Sequence, residues 1–193
     1  MESLDSISRE IKNCTLCDLC LKRTNAVPGE GNENSGIVII GEAPGKNEDM
    51  KGRPFIGMSG RFLTKYLEKA GIERKDVFIT NAVKCRPPNN RKPKISEIET
   101  CRNYLSRQLE VLQPRVILAV GTSAATALGI KFKHLSEVRG KITKISIRSR
   151  EIDCFVTFHP SFPMRFPRAR EVFLEDIRTC IKIYLQHNGK VFI

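Results

Sequence analysis

Four short apolar runs, at 37–40, 77–80, 116–120 and 155–158, are separated by stretches with helical periodicity. A continuous apolar run suits a strand buried on both faces. Strands that alternate with helices form a parallel sheet covered on both sides, because each connection has to cross over. The helical stretches fall at 4–13, 62–70, 95–112, 124–128 and 169–185. Ser96 is the expected N-cap of the long central helix, with Glu99 as its reciprocal capping partner. Residues 141–147 alternate apolar and polar side chains, as a strand with one exposed face does. The pattern predicts an α/β fold over residues 1–193 as a single domain.

In such sheets ligands bind beyond the carboxyl ends of the strands. Gly41-Glu42-Ala43-Pro44-Gly45 follows the first run, Asn81 the second, Gly121-Thr122-Ser123 the third and His159-Pro160-Ser161 the last. Each has an ordinary explanation. Loops are polar, Asn81 can cap a turn, and His159 can be a satisfied histidine. Phe55 can be core, and Glu48-Asp49 can be solvated surface. Four such motifs at one edge of one sheet nevertheless point to a single site. There Asn81 offers an amide that both donates and accepts.

The chain has seven cysteines, an odd number that argues against a closed disulfide framework. Cys14 and Cys17 form a C-x2-C pair, whereas Cys85 and Cys101 are far apart, which disfavours a zinc ribbon. Four thiolates are the usual complement of an iron–sulfur cluster. Cys20 extends the first pair in the manner of a ferredoxin run and is either an alternative third ligand or a bystander. Cys154 and Cys180 sit in apolar settings and read as core. Buried structural thiols throughout remain the alternative reading.

Lys and Arg outnumber Asp and Glu by 33 to 21, a net charge of +12 that favours nucleic acid as a partner. The basic residues gather at Lys84, Arg86, Arg91, Lys92 and Lys94, and again at Arg165, Arg168 and Arg170. No apolar run approaches the ~18 residues of a spanning helix. The acidic, amphipathic start is unlike a secretory signal. A cytoplasmic protein, in a prokaryotic cytosol or nucleoid, is expected, with no membrane partner.

Taken together, these residues resemble the family 4 uracil-DNA glycosylases, the iron–sulfur branch of that superfamily. The elements that carry the resemblance are Cys14-x2-Cys17, the 41–45 turn with Glu48-Asp49, and Gly52-Arg53-Pro54-Phe55. Asn81-x3-Cys85-Arg86-Pro87-Pro88, Cys101, Gly121 and His159-Pro160-Ser161 complete the set. The resemblance implies a three-layer α/β/α fold with a central four-stranded parallel sheet. It also implies a monofunctional hydrolase of DNA base-excision repair. Such an enzyme flips uracil out of the stack and hydrolyses its N-glycosidic bond, leaving an abasic site. The implied cofactor is a structural 4Fe-4S cluster on Cys14, Cys17, Cys85 and Cys101. The implied partner is uracil-containing DNA, single- or double-stranded, acted on by a monomer, with a replication clamp as a further candidate partner.

Residue by residue, the resemblance gives Asn81 the uracil O4 and N3–H, and Phe55 the face of the ring. Backbone groups of Glu42 and Ala43 receive its carbonyls, and His159 stabilises the charge that develops at O2. Where the best-known branch has an Asp to orient water, this chain has Ala43. Glu48 is then the nearest carboxylate for that task, with Asp49 behind it. Ser123, Met164 and Arg165 are the expected DNA contacts, with Met164 and Phe166 filling the gap left in the duplex. A related branch links its histidine covalently to the abasic sugar and carries an Arg-rich insertion for it. Residues 54–59 run into the next helix without that insertion, so turnover is expected. A non-catalytic iron–sulfur DNA-binding module and a small-ligand enzyme of flavodoxin-like shape are the alternatives.

Overall fold

The computed structural model describes residues 2–187. In chain order it comprises α1 (Leu4–Asn13), β1 (Glu30–Gly31), β2 (Ile37–Gly41), α2 (Lys46–Lys51), α3 (Met58–Lys69), β3 (Phe78–Asn81) and α4 (Ile95–Leu112). Then come β4 (Val116–Val120), α5 (Thr122–Ala127), α6 (Leu135–Val138), β5 (Ile142–Ile147), β6 (Arg150–Thr157), α7 (Ser161–Arg165) and α8 (Arg170–His187).

The sheet order is β1-β3-β2-β4-β6-β5. The inner four strands are mutually parallel, as expected for apolar runs joined by helical crossovers. The sheet has six strands rather than four, because an antiparallel strand is added at each edge. β5 must run antiparallel to β6, since only Arg148 and Ser149 separate Ile147 from its partner Arg150. Arg148 takes a positive φ of 51° to make that tight turn. β1 is two residues long, too short for its alternation to show in the sequence.

Alternate residues of each inner strand enter opposite cores. Val38, Ile40, Ile117 and Ala119 pack with α1 and α4 through Ile7, Ile11, Leu105 and Leu109. Ile37, Ile39, Leu118 and Val120 face α3 and α8 through Leu63, Leu67, Phe173 and Ile177. This gives the three layers. Cys154 and Cys180 belong to the two cores, as their apolar settings suggested. Among the described residues no helix is long and apolar enough to cross a membrane.

One local expectation fails. α4 begins after Lys94, and the capping carboxylate is Glu97, which accepts the Lys94 N–H at 2.7 Å. The cap thus sits two residues before the expected Ser96 and Glu99, and Arg91 also seizes Glu97, at 2.9 and 2.6 Å, and fixes the turn earlier. Residues Lys46–Lys51 form the helix α2, too short to announce itself by periodicity.

Candidate active site

The parallel register brings the four motifs together. Gly41 is paired with Asn81 at the ends of β2 and β3, and Val120 with Thr157 at the ends of β4 and β6. Beyond these ends lies a cavity of about 590 Å³ lined by Glu42, Ala43, Glu48, Phe55 and His159. Its remaining walls include Asn47, Met58, Pro87, Asn90, Arg91 and Ser161.

Gly41 forms a contact floor shared by two predicted residues. A methyl group there would collide with both Asn81 Oδ1 and the Phe55 ring. Asn81 is 1% exposed, and its Oδ1 is buried without a hydrogen-bond partner. Buried amide oxygens are nearly always satisfied, so this one marks a place where a donor is expected to arrive.

Phe55 adopts a positive φ of 49°, an uncommon and costly conformation for a bulky residue. Several contacts hold it there. Arg74 donates to the carbonyls of Phe55 and Pro54 at 3.1 and 2.6 Å and is itself paired with Glu30 at 2.9 Å. Glu30 also takes Arg53 at 2.7 Å. Gly60 lies so close under the Phe55 carbonyl that no side chain fits there. The Phe55 and His159 ring centroids are 6.4 Å apart.

His159 Nδ1 is 2.8 Å from Ser161 Oγ and accepts the Ser161 backbone N–H at 3.3 Å. A ring nitrogen that accepts a backbone N–H carries no proton, so the neutral ring presents Nε2–H as a donor. Burial pushes the His159 pKa below its usual value, against the opposing effect of the Glu42 carboxylate. Gly121, at φ 97°, passes so close that a methyl there would lie 2.9 Å from His159 Cβ.

Three carboxylates stand near the turn, and they do different work. Glu48 Oε1 accepts the N–H groups of Ile56 and Gly57 at 2.9 and 2.7 Å, stapling the start of α3. Its Oε2 lies over Gly45 in the cavity wall. Asp49 is 3% exposed and accepts from Thr24 N–H and Asn25 N–H at 2.9 and 3.2 Å, so it anchors the N-terminal segment. Glu42, read from sequence only for its backbone, also brings a carboxylate into the cavity. Its position directly after a strand end was the available signal. The Glu42 carbonyl is committed to Val83 N–H at 3.2 Å.

Ser123, expected at the DNA, is 1% exposed and donates its hydroxyl to Glu42 at 2.6 Å, so that hydroxyl orients the carboxylate. Met164 is half-buried on α7 and Arg165 is exposed. Phe162 on that short helix and Phe166 directly after it are 41% and 48% exposed, with ring centroids 4.9 Å apart. Of the basic clusters, Lys84 does not reach the surface. It is 2% exposed and bonded to Thr80, Asn81 and Gln108. Arg91 is held by Glu97, whereas Lys92, Lys94, Arg165, Arg168 and Arg170 are exposed.

Cys14, Cys17, Cys85 and Cys101 line one small void of about 20 Å³ between α1, α4 and the loop after β3. Cys20 does not line it. Burial pushes the thiols of Cys17, Cys85 and Cys101 up, the last to about 11. Arg23, which the sequence did not single out, donates to Cys85 Sγ at 3.0 Å. Among the described residues no group of three or more His, Cys, Asp or Glu stands at metal-holding distances. Four cysteines line that one void, with the Arg23 guanidinium against one of them, and this donor set fits a thiolate-bound centre.

A family model for the uracil DNA glycosylase superfamily matches residues 28–179. A type-4 uracil-DNA glycosylase of Archaeoglobus fulgidus is 44% identical over 182 residues, covering 92% of each chain. One from Saccharolobus solfataricus is 45% identical, covering 92% of this chain and 85% of its own. One from Thermotoga maritima is 43% identical, covering 97% of each. The cavity beyond the parallel strands thus belongs to a fold that the comparisons also recognise, and this chain is a member of the uracil-DNA glycosylase superfamily, in its type-4 branch.

Proposed function

We propose that the cavity receives a uracil flipped out of DNA and that the enzyme hydrolyses its N-glycosidic bond. The observation that carries this reading is the orphaned Asn81 Oδ1 beside the Phe55 ring. Uracil N3–H supplies the missing donor, and the Asn81 amide N–H meets O4. Cytosine presents the opposite pattern, an acceptor at N3 and a donor at C4. Phe55, locked in its strained backbone, forms the platform on which the base stacks.

As the N1–C1′ bond breaks, its electron pair stays with the base and negative charge builds at O2. The neutral His159 Nε2–H donates to that oxygen. Water adds at C1′ and loses a proton, leaving a hydroxyl on the abasic sugar, and the uracil anion is protonated. Glu48 Oε2 is the carboxylate oxygen assigned to orient the water or to stabilise the cationic sugar, with Glu42 as the second carboxylate at hand. Lys92, Lys94, Arg165 and Arg168 grip phosphates, and Met164 with the exposed Phe162 and Phe166 fills the space the base leaves.

Cys14, Cys17, Cys85 and Cys101 would hold a 4Fe-4S cluster, which supplies cross-linking of the N-terminal segment to α4 and no step of the hydrolysis. The void the four sulfurs share supports this set over one that includes Cys20.

The test is alkali-labile nicking of a labelled oligonucleotide with one uracil, set beside the same strand with cytosine or thymine. Cleavage at uracil alone is expected. Binding without base release would favour a non-catalytic DNA-binding module.

A further inference from the structure

Lys84 heads the fully buried side chains by volume, an unusual place for an ammonium. Its three donors meet three acceptors: Thr80 Oγ1 at 2.6 Å, Gln108 Oε1 at 2.7 Å and the Asn81 carbonyl at 2.9 Å. All three are neutral oxygens. The hydrogen bonds are satisfied, but none of these partners answers the charge, and a buried cation without a counter-charge is strongly disfavoured.

The answering charge lies on its other side. Lys84 lines the void shared by Cys14, Cys17, Cys85 and Cys101, and the thiolates of Cys101 and Cys85 are the charges that favour its protonated form. Glu97 also borders the void, but its carboxylate is occupied by Arg91 and Lys94 N–H. Four thiolates around an iron–sulfur core carry net negative charge, and each burial problem resolves the other.

We propose that Lys84 is the buried counter-ion of the cluster site and the positioning residue that ties that site to base recognition. This rests on the reading that the four cysteines hold an iron–sulfur cluster. The connection is covalently short. The ammonium holds the main-chain carbonyl of Asn81, the residue whose side-chain Oδ1 is buried without a partner beside the Phe55 ring. Thr80, the preceding residue, is held by the same ammonium and donates in turn to the Pro28 carbonyl at 2.7 Å. Arg23 contributes positive charge at Cys85, but it also donates to the Lys12 carbonyl, on the N-terminal helix. Lys84 alone among the cations at the void also touches Asn81. A cluster in an enzyme without a redox step thereby acquires a second task, which is to hold the end of β3 in register for uracil.

Two variants test this from opposite directions in the iron-loaded protein. Lys84→Met deletes the charge, and Gln108→Glu neutralises it in place while keeping the lysine. Iron per chain, the midpoint potential of the cluster and the rate of its absorbance loss under a chelator are measured for each. Removing positive charge beside a cluster lowers its potential. Both variants are therefore expected to shift to more negative values, and to lose iron at least about tenfold faster, as befits a broken buried charge pair. Uracil excision should fall in both, with DNA binding retained. Gln108→Glu strengthens the anchoring of Lys84, so a purely structural lysine predicts no change in potential or iron loss for that variant. Wild-type values in either folded variant overturn the counter-ion role, and Gln108→Glu decides alone if Lys84→Met does not fold. Wild-type protein that binds no iron withdraws the cluster reading and the counter-ion together. Full iron in wild type with insensitive variants removes only the counter-ion.

Discussion

Arg74 donates to the carbonyl of Phe55 at 3.1 Å and so holds a bulky residue at a φ of 49°. The ring of Phe55 forms one wall of the cavity, and the guanidinium that fixes it sits outside, in the pair with Glu30. On the proposed reading, the platform for the base is set by an ion pair whose two residues do not line the cavity.

Arg74→Ala releases that strain and lets the ring wander. With strained backbone worth about 1–3 kcal/mol, a loss of roughly tenfold or more in kcat/KM is expected. Thermal unfolding should change little by comparison. Single-turnover and steady-state kinetics on a uracil-containing duplex check this, and Arg74→Lys should recover part of the loss.

Gly41→Ala introduces a methyl that collides with both Asn81 Oδ1 and the Phe55 ring. Uracil excision should be abolished while salt-dependent DNA binding and cluster absorbance persist. Gel-shift and excision assays on one preparation separate the two effects. An active Gly41→Ala would mean the base does not enter between these side chains.

The pH profile follows from His159. Burial lowers its pKa, so the ring is neutral at and somewhat below pH 6.5 and keeps the Ser161 N–H on Nδ1. The single-turnover rate should stay level from about pH 8 down through 6.5, the usual histidine value, and fall only in more acidic solution. In stability the unfolded chain binds the proton first. The His159 contribution is thus complete above 6.5 and is lost as pH falls toward the lowered folded value. A rate profile with its acid limb at or above 6.5 would count against a neutral donor.

DNA affinity should fall steeply with salt, because the exposed Lys92, Lys94, Arg165 and Arg168 displace counterions from phosphates. Neutralising Arg165 should reduce the slope, whereas Lys84→Met should leave it unchanged, since that ammonium is buried. Fluorescence anisotropy at several salt concentrations reads both.

The inner sheet was legible because its strands are continuous apolar runs, and the site because its motifs directly follow those runs. The positions of Asn81 and His159 directly after apolar runs put both at one edge of the sheet. What periodicity cannot reveal is pairing over long sequence distances. Arg74 reaches back to Phe55, Asp49 to Thr24, and Arg23 across to Cys85, and none of these contacts leaves a local pattern. Lys84 falls in a basic cluster of the sequence, where charge usually is surface, yet it is buried. Its burial depends on Gln108, on a helix distant in sequence. Ser123 looked accessible in a Gly-rich turn, yet α5 turns its hydroxyl inward to Glu42.

The account stands most directly on single-turnover uracil release by His159→Ala and Asn81→Ala, with folding verified by cluster absorbance. Loss of one oxyanion donor costs roughly 100- to 1000-fold, and that is the fall expected for His159→Ala with DNA binding nearly intact. Asn81→Ala should lose uracil cleavage to a similar or greater degree, while Asn81→Asp should weaken discrimination against cytosine. Wild-type rates in folded His159→Ala and Asn81→Ala would place the chemistry elsewhere and contradict the assignment of this cavity.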